Sequence, residues 1–365
     1  MQSVPNLLPV YVHDLNPFAL QFTESFGIRW YGLAYLAGFY AAFLIISWMG
    51  KRGLSPLPPA LASDFVFTAA MGTIIGGRLG YCLFYSQDLL TQFSSSPPFW
   101  GVFAINRGGM ASHGGIIGIV CACIYFGKKH KITPPHLFDL TTLGGSIGIF
   151  FGRLANFVNG ELVGRPTSSD IPWAVKFPQD ILLWDSGQLR NLYDTVAALG
   201  VNRNSWQAWT NDALWNLSAK NNIEQTLSAI ISAIQNGNHA VRDAISGVLV
   251  ARHPSQIYEA LGEGVFLFLA LLWIWRLPRK PGVITGWFFT LYALVRIMSE
   301  QFRMPDPQIG FQIFGLTRGQ ILSILMFVIG IVCLYVWSRI NTSPLGGWKQ
   351  ISRIDTSGGV AKNET

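Results

Sequence analysis

The sequence predicts an all-α polytopic membrane protein: a bundle of seven transmembrane helices with a periplasmic head inserted between spans 4 and 5. Half of the 365 residues are hydrophobic and only 12% are charged, against roughly 25% charged residues in soluble domains. Seven apolar stretches each approach the ~20 residues that are needed to cross a bilayer. Short basic runs at alternate span ends give the bundle an orientation.

The seven stretches divide the chain into five regions. We predict a periplasmic N-terminal arm at 1–30, spans 1 to 4 within 31–157, the periplasmic head at 158–256, spans 5 to 7 within 257–338 and a cytoplasmic tail at 339–365. The spans themselves are expected at about 31–49, 64–85, 110–127, 137–157, 257–275, 282–301 and 318–338.

Basic residues mark the predicted cytoplasmic ends of the spans. The runs are Lys51-Arg52 after span 1, Lys128-Lys129 with Lys131 after span 3, and Arg276 with Arg279-Lys280 after span 5. The positive-inside rule places such flanks in the cytoplasm, so the N-terminus is expected outside and the C-terminus inside. The formal net charge of +7 is explained by this orientation, and we expect no nucleic-acid partner.

The long loop between spans 4 and 5 has two parts. The first contains Pro166, Pro172 and Pro178 among alternating apolar residues, which indicates extended chain. Residues 203–250 have apolar positions at helical spacing and predict helices. We therefore expect a small folded head rather than a charged tail.

Ionisable side chains inside the spans converge on the outer third of the membrane. A charge at the bilayer centre costs about 2.5–3.5 kcal/mol, so such residues are candidates for function. At ~1.5 Å per helical residue, Arg78, Arg153 and Arg296 lie about 20–24 Å above the inner surface. His113 lies ~5 Å below the outer surface, and Glu259 within ~10 Å of it. The same layer also contains Tyr31, Asn156, Glu263 and Glu300.

Two interpretations of this layer stay open. The pairs Arg296–Glu300 and Arg78–Glu259 could simply neutralise each other so that the helices insert. Alternatively Arg153 and Arg296 hold an anion between them, since guanidinium groups bind phosphate with two parallel hydrogen bonds. The spacing of Tyr292, Arg296, Glu300 and Arg303 places them on one helix face. The second interpretation predicts a site for a lipid-headgroup phosphate.

Two histidines accompany the arginines. Histidine is a common general base in enzymes, so His113 is a candidate for this role, although a histidine at a membrane interface is often structural. His253 precedes a proline at the entry to span 5. The geometry of the helix entry explains a histidine at this position at least as well as catalysis does. GGSIG at 144–148 matches a serine-hydrolase pattern, but its position in mid-span favours helix packing over an intramembrane protease.

Six segments together resemble the prolipoprotein diacylglyceryl transferase family. They are IRWYGLAY (28–35), GGRLGYCLFY (76–85), GGMASHGG (108–115), GRLANFVNGELVGRPT (152–167), RHPSQIYEALGEG (252–264) and YALVRIMSEQFRMPD (292–306). The resemblance implies an enzyme of the bacterial inner membrane that moves the sn-1,2-diacylglyceryl group of phosphatidylglycerol to the lipobox cysteine of prolipoproteins. A thioether forms, glycerol phosphate is released at the periplasmic face, and no metal or dissociable cofactor is implied.

The resemblance also implies roles for individual residues. Arg153 corresponds to the arginine that binds phosphatidylglycerol, Arg296 to a second essential arginine and His113 to the candidate catalytic histidine. The expected substrate-binding residues beside them are Asn156, Glu161, Gly164, Tyr31, Tyr292, Glu300 and Arg303, and we add Arg78 and His253. The chain departs from the family pattern at Ala111-Ser112 and in the long insertion at about 178–250.

Several functions compete with this prediction. A transporter predicts polar residues through the full depth of the membrane, whereas here the inner two-thirds of the spans carries almost no charge. A scaffold does not require two arginines and a histidine in one outer pocket. A different lipid-headgroup transferase is the nearest rival, but the metal-binding aspartate clusters usual in such enzymes are missing from this sequence.

Overall fold

The computed structural model describes residues 10–23, 27–104, 108–305 and 310–348. Parts of the predicted N-terminal arm, 1–9 and 24–26, lie outside the described residues. Most of the predicted cytoplasmic tail, 349–365, lies outside them as well.

Each predicted span is largely helical. The helices at these positions are α1 (Trp30–Lys51), α2 (Ala62–Phe84), α3 (Ser112–His130) and α4 (Pro134–Asn159). In the long loop follow α5 (Ser186–Leu189), α6 (Tyr193–Ala198), α7 (Arg203–Asp212), α8 (Leu217–Gln235) and α9 (His239–Ser246). The last set is α10 (Ser255–Glu259), a π-helical turn (Ala260–Phe266), α11 (Leu267–Trp275), α12 (Val283–Ser299) and α13 (Arg318–Arg339).

The helices confirm a mostly helical, multi-pass membrane protein. Among the described residues, four helical stretches are long and apolar enough to cross a membrane: Trp30–Lys51, Pro59–Phe84, Ser255–Trp275 and Arg318–Arg339. Helix α12 is a shorter apolar helix, and glycines and polar side chains interrupt the apolar runs of α3 and α4. The count of seven spans therefore stays a prediction.

The chain forms two compact units. Of the described residues, the second unit contains 35–104, 108–150, 263–295 and 321–348. Its core includes Phe65, Phe126, Leu137, Leu271 and Trp275. Gly76 of α2 approaches the carbonyl of Gly114 in α3 so closely that a Cβ would not fit, as expected where small residues let membrane helices pack.

Of the described residues, the first unit contains 10–23, 27–34, 151–262, 296–305 and 310–320, and therefore the head. Its apolar core is formed mainly by α6 to α9, with Trp206, Ile230 and Ile245 fully buried. Asn202, Asn216 and Asn238 cap the N-termini of α7, α8 and α9 by accepting hydrogen bonds from backbone N–H groups. These helices confirm the helical pattern predicted for 203–250.

The structure also contains short β-strands, which the all-α prediction did not include. Strand β4 (Val175–Lys176) pairs in parallel with β1 (Tyr11–Val12) and antiparallel with β5 (Ala251–Arg252). A separate antiparallel pair joins β2 (Phe18–Gln21) to β3 (Gly27–Arg29). Because β4 and β5 are neighbours, the insertion begins and ends at adjacent points of the first unit. Extended pieces were expected for the proline-rich part of the loop, and β4 lies within it.

Candidate active site

The part of GRLANFVNGELVGRPT that follows α4, residues 160–167, is the signature segment. It lies between two other extended segments of the first unit. Gly164 forms an isolated bridge with Arg303, and Pro166 forms one with Arg252. The backbone N–H of Arg165 donates to the Phe302 carbonyl at 2.8 Å, and the N–H of Met304 donates to the Val163 carbonyl at 3.2 Å. Residues far apart in sequence are therefore held together by main-chain bonds.

Position 164 needs a glycine because the neighbouring segments approach it too closely for a side chain. A Cβ at this position would collide with the carbonyl oxygen of His253 and would lie 2.9 Å from that of Phe302. Backbone atoms on both sides cannot move away independently, because they belong to the same hydrogen-bonded layer. The role of Gly164 is thus to bring the signature segment into contact with its neighbours.

Tyr31, Asn156 and Glu161 meet in one hydrogen-bonded group. The Tyr31 hydroxyl donates to Oε1 of Glu161, and Nδ2 of Asn156 donates to the same carboxylate oxygen at 2.8 Å and to the Tyr31 hydroxyl. The Glu161 carbonyl in turn accepts from Nε2 of Gln256 at 2.6 Å. The structure therefore brings together three of the residues that the resemblance had singled out.

Glu259 joins the arginines of the first unit. Its Oε2 lies 3.1 Å from Nη1 of Arg153, and its Oε1 lies 2.5 Å from Nη1 of Arg296 and 3.8 Å from Nη1 of Arg303. The Glu259 side chain is completely buried, whereas the side chain of Arg153 keeps 17% of its surface exposed. The cluster is thus anchored from inside and open at Arg153.

This cluster explains how two arginines stay close together. The repulsion between Arg153 and Arg296 is offset by a carboxylate placed between them. The sequence had suggested an anion at this point and had paired Glu259 with Arg78; the structure pairs Glu259 with Arg153 and Arg296. The sequence alone did not assign Glu259 to the arginines of this site, and its depth in the membrane stays a prediction.

Arg296 has a second carboxylate partner. Its Nη2 lies 2.6 Å from Oε2 of Glu300, four residues later, so the predicted pair is confirmed. The expectation that Arg303 continues the same helix face was wrong, because α12 ends at Ser299 and Arg303 lies in the extended segment beside Gly164. Pro305 follows shortly after, and prolines disfavour helix in the residue that precedes them.

Arg78 and Tyr292 belong to the second unit. Arg78 donates to four backbone carbonyls, those of Gly101, Val102, Gly108 and Gly109, at 2.6–2.9 Å. These bonds hold the loop after α2, so a substrate role for Arg78 stays a prediction. The Tyr292 hydroxyl donates to Oε2 of Glu263 at 3.4 Å.

His113 also belongs to the second unit. It lies in the first turn of α3, and its side chain is exposed. Its place beside the arginines, and with it the role of general base, stays a prediction.

His253 lies in an aromatic cluster of the first unit. Its Nδ1 is 3.3 Å from the Tyr258 hydroxyl, and its ring meets that of Phe302 edge to face. Next to it, Arg252 forms an ion pair with Asp180 and donates to the Gly164 carbonyl at 3.1 Å. Burial raises the pKa of Asp180, and the Arg252 charge opposes that shift. The pair ties the start of the insertion to the signature segment.

Comparisons with known proteins agree on one family. The family model described as prolipoprotein diacylglyceryl transferase matches residues 17–336. A protein of Bdellovibrio bacteriovorus named phosphatidylglycerol–prolipoprotein diacylglyceryl transferase is 48% identical over 342 residues, covering 93% of this chain and 97% of the relative. Relatives with the same name from Rhodospirillum rubrum and Geobacter sulfurreducens are 35% and 34% identical, covering 94% and 87% of this chain and 97% and 93% of their own lengths.

Proposed function

The chain belongs to the prolipoprotein diacylglyceryl transferase family, and from this premise we propose that it transfers the sn-1,2-diacylglyceryl group of phosphatidylglycerol to the thiol of a lipobox cysteine in prolipoproteins. The cysteine sulfur forms a bond with a glycerol carbon, and the bond from that carbon to the phosphate oxygen breaks. The phosphate oxygen keeps the electron pair, and glycerol phosphate leaves. This reaction is the first step of bacterial lipoprotein modification.

The observation that carries the proposal is the placement of Arg153 and Arg296 on one buried carboxylate, Glu259. A guanidinium has five N–H donors in a fixed plane, so an arginine anchored along one edge can bind a phosphate with another. The partial exposure of Arg153 leaves this side of the cluster accessible to a lipid headgroup.

The positive charge of two arginines can stabilise the phosphate leaving group. Negative charge builds up on the phosphate oxygen as the carbon–oxygen bond breaks. Positive groups that bind this charge more tightly in the transition state than in the ground state lower the barrier of the chemical step. We assign this role to Arg153 and Arg296, with Arg303 contributing through its position near Glu259.

The hydrogen-bonded group of Tyr31, Asn156 and Glu161 is assigned to the headgroup of phosphatidylglycerol. The headgroup carries a glycerol with free hydroxyls, which both donate and accept hydrogen bonds. An exposed carboxylate and an amide are suitable partners for such hydroxyls.

The thiol must lose its proton before it attacks. A free cysteine has a pKa of about 8.5, so a base or a positive field must raise the fraction of thiolate near neutral pH. His113 is the candidate base, and the field of the arginines is the alternative activator. Both substrates are anchored in the membrane, and we place the site near the periplasmic face of a bundle of seven spans with the N-terminus outside.

The direct test uses the full chain in detergent with phosphatidylglycerol and a peptide that carries a lipobox cysteine. Mass spectrometry of the peptide should show a gain of one diacylglyceryl unit, and alkylating the cysteine beforehand should block it. Arg153→Ala should abolish the gain, while Arg190→Ala, which changes an exposed arginine of the head, should leave it unchanged.

Two outcomes would contradict the proposal. A folded wild-type protein that consumes phosphatidylglycerol without modifying the peptide would indicate a different headgroup transferase. Full activity in Arg153→Ala would remove the assigned phosphate site. His113→Gln separates the two activators, because a loss that is reversed by raising the pH indicates a missing base, and an unchanged rate favours the arginine field.

A further inference from the structure

The buried carboxylate of Glu300 lies at the N-terminus of α13. Thr317 directly precedes the first residue of this helix, and its N–H donates to Oε1 of Gln320 at 3.0 Å. The N–H of Gln320 donates back to Oγ1 of Thr317 at 3.2 Å. This reciprocal pair is a capping box, which holds both side chains at the helix start.

The cap determines where the hydroxyl hydrogen of Thr317 points. A threonine hydroxyl has a single hydrogen to donate, and its oxygen already accepts from Gln320. The hydrogen goes to Oε1 of Glu300 at 2.8 Å. Thr317 and Glu300 are both almost fully buried, and hydrogen bonds to an ionised group are among the stronger ones in proteins.

Gly319 lets the carboxylate rest against the first turn of α13. A Cβ on Gly319 would lie 2.8 Å from Oε1 and 3.1 Å from Oε2 of Glu300. The first distance is too short for a Cβ contact, so the carboxylate would have to shift. The start of a helix carries unpaired N–H groups and the positive end of the helix dipole, which both stabilise a carboxylate. A side chain at 319 would push Glu300 away from this position.

The two oxygens of Glu300 therefore have different partners. Oε1 is bound by Thr317, and Oε2 is directed to Nη2 of Arg296 at 2.6 Å. Through Nη1, its other terminal nitrogen, Arg296 is held by Oε1 of Glu259 at 2.5 Å. The guanidinium is thus fixed at two points, one of which depends on the start of α13.

We propose that Thr317 and Gly319 are positioning residues for Arg296, which act by holding Glu300 at the N-terminus of α13. This inference rests on the proposed function, because it concerns the arginine assigned to the phosphate. It adds a structural element, the start of α13, to the site.

The experiment measures diacylglyceryl transfer by Thr317→Val, Thr317→Ser, Glu300→Gln and the double variant Thr317→Val/Glu300→Gln, each with its thermal unfolding in detergent. Valine keeps the volume of threonine but removes the hydroxyl, so kcat/KM should fall roughly 10- to 100-fold, as expected for the loss of a hydrogen bond to a charged group. Serine keeps the hydroxyl and should restore most of the activity. Thr290→Val is the control, since Thr290 is similarly buried and donates to the Gly286 carbonyl of its own helix.

The double variant separates positioning from a general loss of stability. If Thr317 acts through Glu300, Thr317→Val should cost little further activity in the Glu300→Gln background, because interacting residues are not additive. Full additivity of the two changes would overturn the inference. The inference would also be overturned if the wild-type protein modifies the peptide and Thr317→Val does so at the same rate. If the wild-type protein does not modify the peptide, the proposed function itself is contradicted.

Gly319→Ala provides a second test that leaves the cap intact. It should lower transfer because the added methyl displaces the Glu300 carboxylate. Gly145→Ala is the matched control, since a Cβ at this helical glycine of α4 meets nothing within 4 Å. If Thr317→Val does not fold, Gly319→Ala becomes the test of the inference. Activity of Gly319→Ala equal to that of Gly145→Ala would overturn the inference.

Discussion

Glu259→Gln tests the central feature of the site, the carboxylate shared by Arg153 and Arg296. Glutamine has nearly the same shape as glutamate, so the packing around the buried side chain is preserved. The change removes the negative charge that lies 3.1 Å from one guanidinium and 2.5 Å from the other. Arg153 and Arg296 then repel each other, because the carboxylate charge between them is gone.

The magnitude follows from the burial of the group. Removing one partner of a buried ion pair costs about 3–5 kcal/mol. Glutamine keeps one carbonyl oxygen as an acceptor, Arg296 keeps Glu300 as a partner, and Arg153 is partly exposed. We therefore expect the free energy of unfolding to fall by about 2–3 kcal/mol. If the same energy is lost from the positioning of the arginines, the transfer rate should drop on the order of 100-fold.

The assay combines thermal unfolding in detergent with the peptide-transfer measurement. Glu224→Gln is the control, because Glu224 forms an exposed pair with Lys220 at 3.9 Å and exposed pairs contribute about 1 kcal/mol or less. Inorganic phosphate should stabilise Glu259→Gln more than the wild type, since an anion that binds only the folded state raises its stability. A variant with wild-type stability, wild-type rate and no response to phosphate would refute the assignment of Glu259.

The remaining predictions concern single contacts of the first unit. Tyr31→Phe removes the hydroxyl that joins Glu161 and Asn156; transfer should fall about tenfold with little change in unfolding temperature, and an unchanged rate would exclude this group from headgroup binding. Gly164→Ala should lose both stability and activity because its Cβ meets the carbonyls of His253 and Phe302, whereas Gly247→Ala, where a Cβ meets nothing within 4 Å, should lose neither. Burial lowers the pKa of His13, so the unfolded chain, with an ordinary histidine pKa of about 6.5, binds the proton more readily. Stability should therefore decline as the pH falls below about 6.5, and His13→Phe should show a smaller decline between pH 7.5 and 5.5 in thermal unfolding; an equal decline would contradict this role of His13.

Much of the fold follows from local properties of the chain. A membrane helix needs only a long enough run of apolar residues, so hydropathy alone located α1, α2 and α13 to within a few residues. Helical spacing in the insertion likewise predicted α7 to α9, since each of these helices has one apolar stripe. Strands β4 and β5 are only two residues long, and such short strands depend on distant partners rather than on their own sequence.

For the candidate site, too, the sequence predicted one part and the packing of the chain decided the other. The sequence predicted that Arg153, Arg296 and Glu259 lie at a similar depth, because that estimate needs only the number of residues along each helix. Only the tertiary structure decided which carboxylate lies between which arginines, since that depends on how each helix is rotated and packed against the others. It also decided that Arg303 approaches Glu259 from an extended segment, and that Thr317 and Gly319 hold Glu300. Those contacts join residues that are 17 or more positions apart, and a pattern along the chain does not record them.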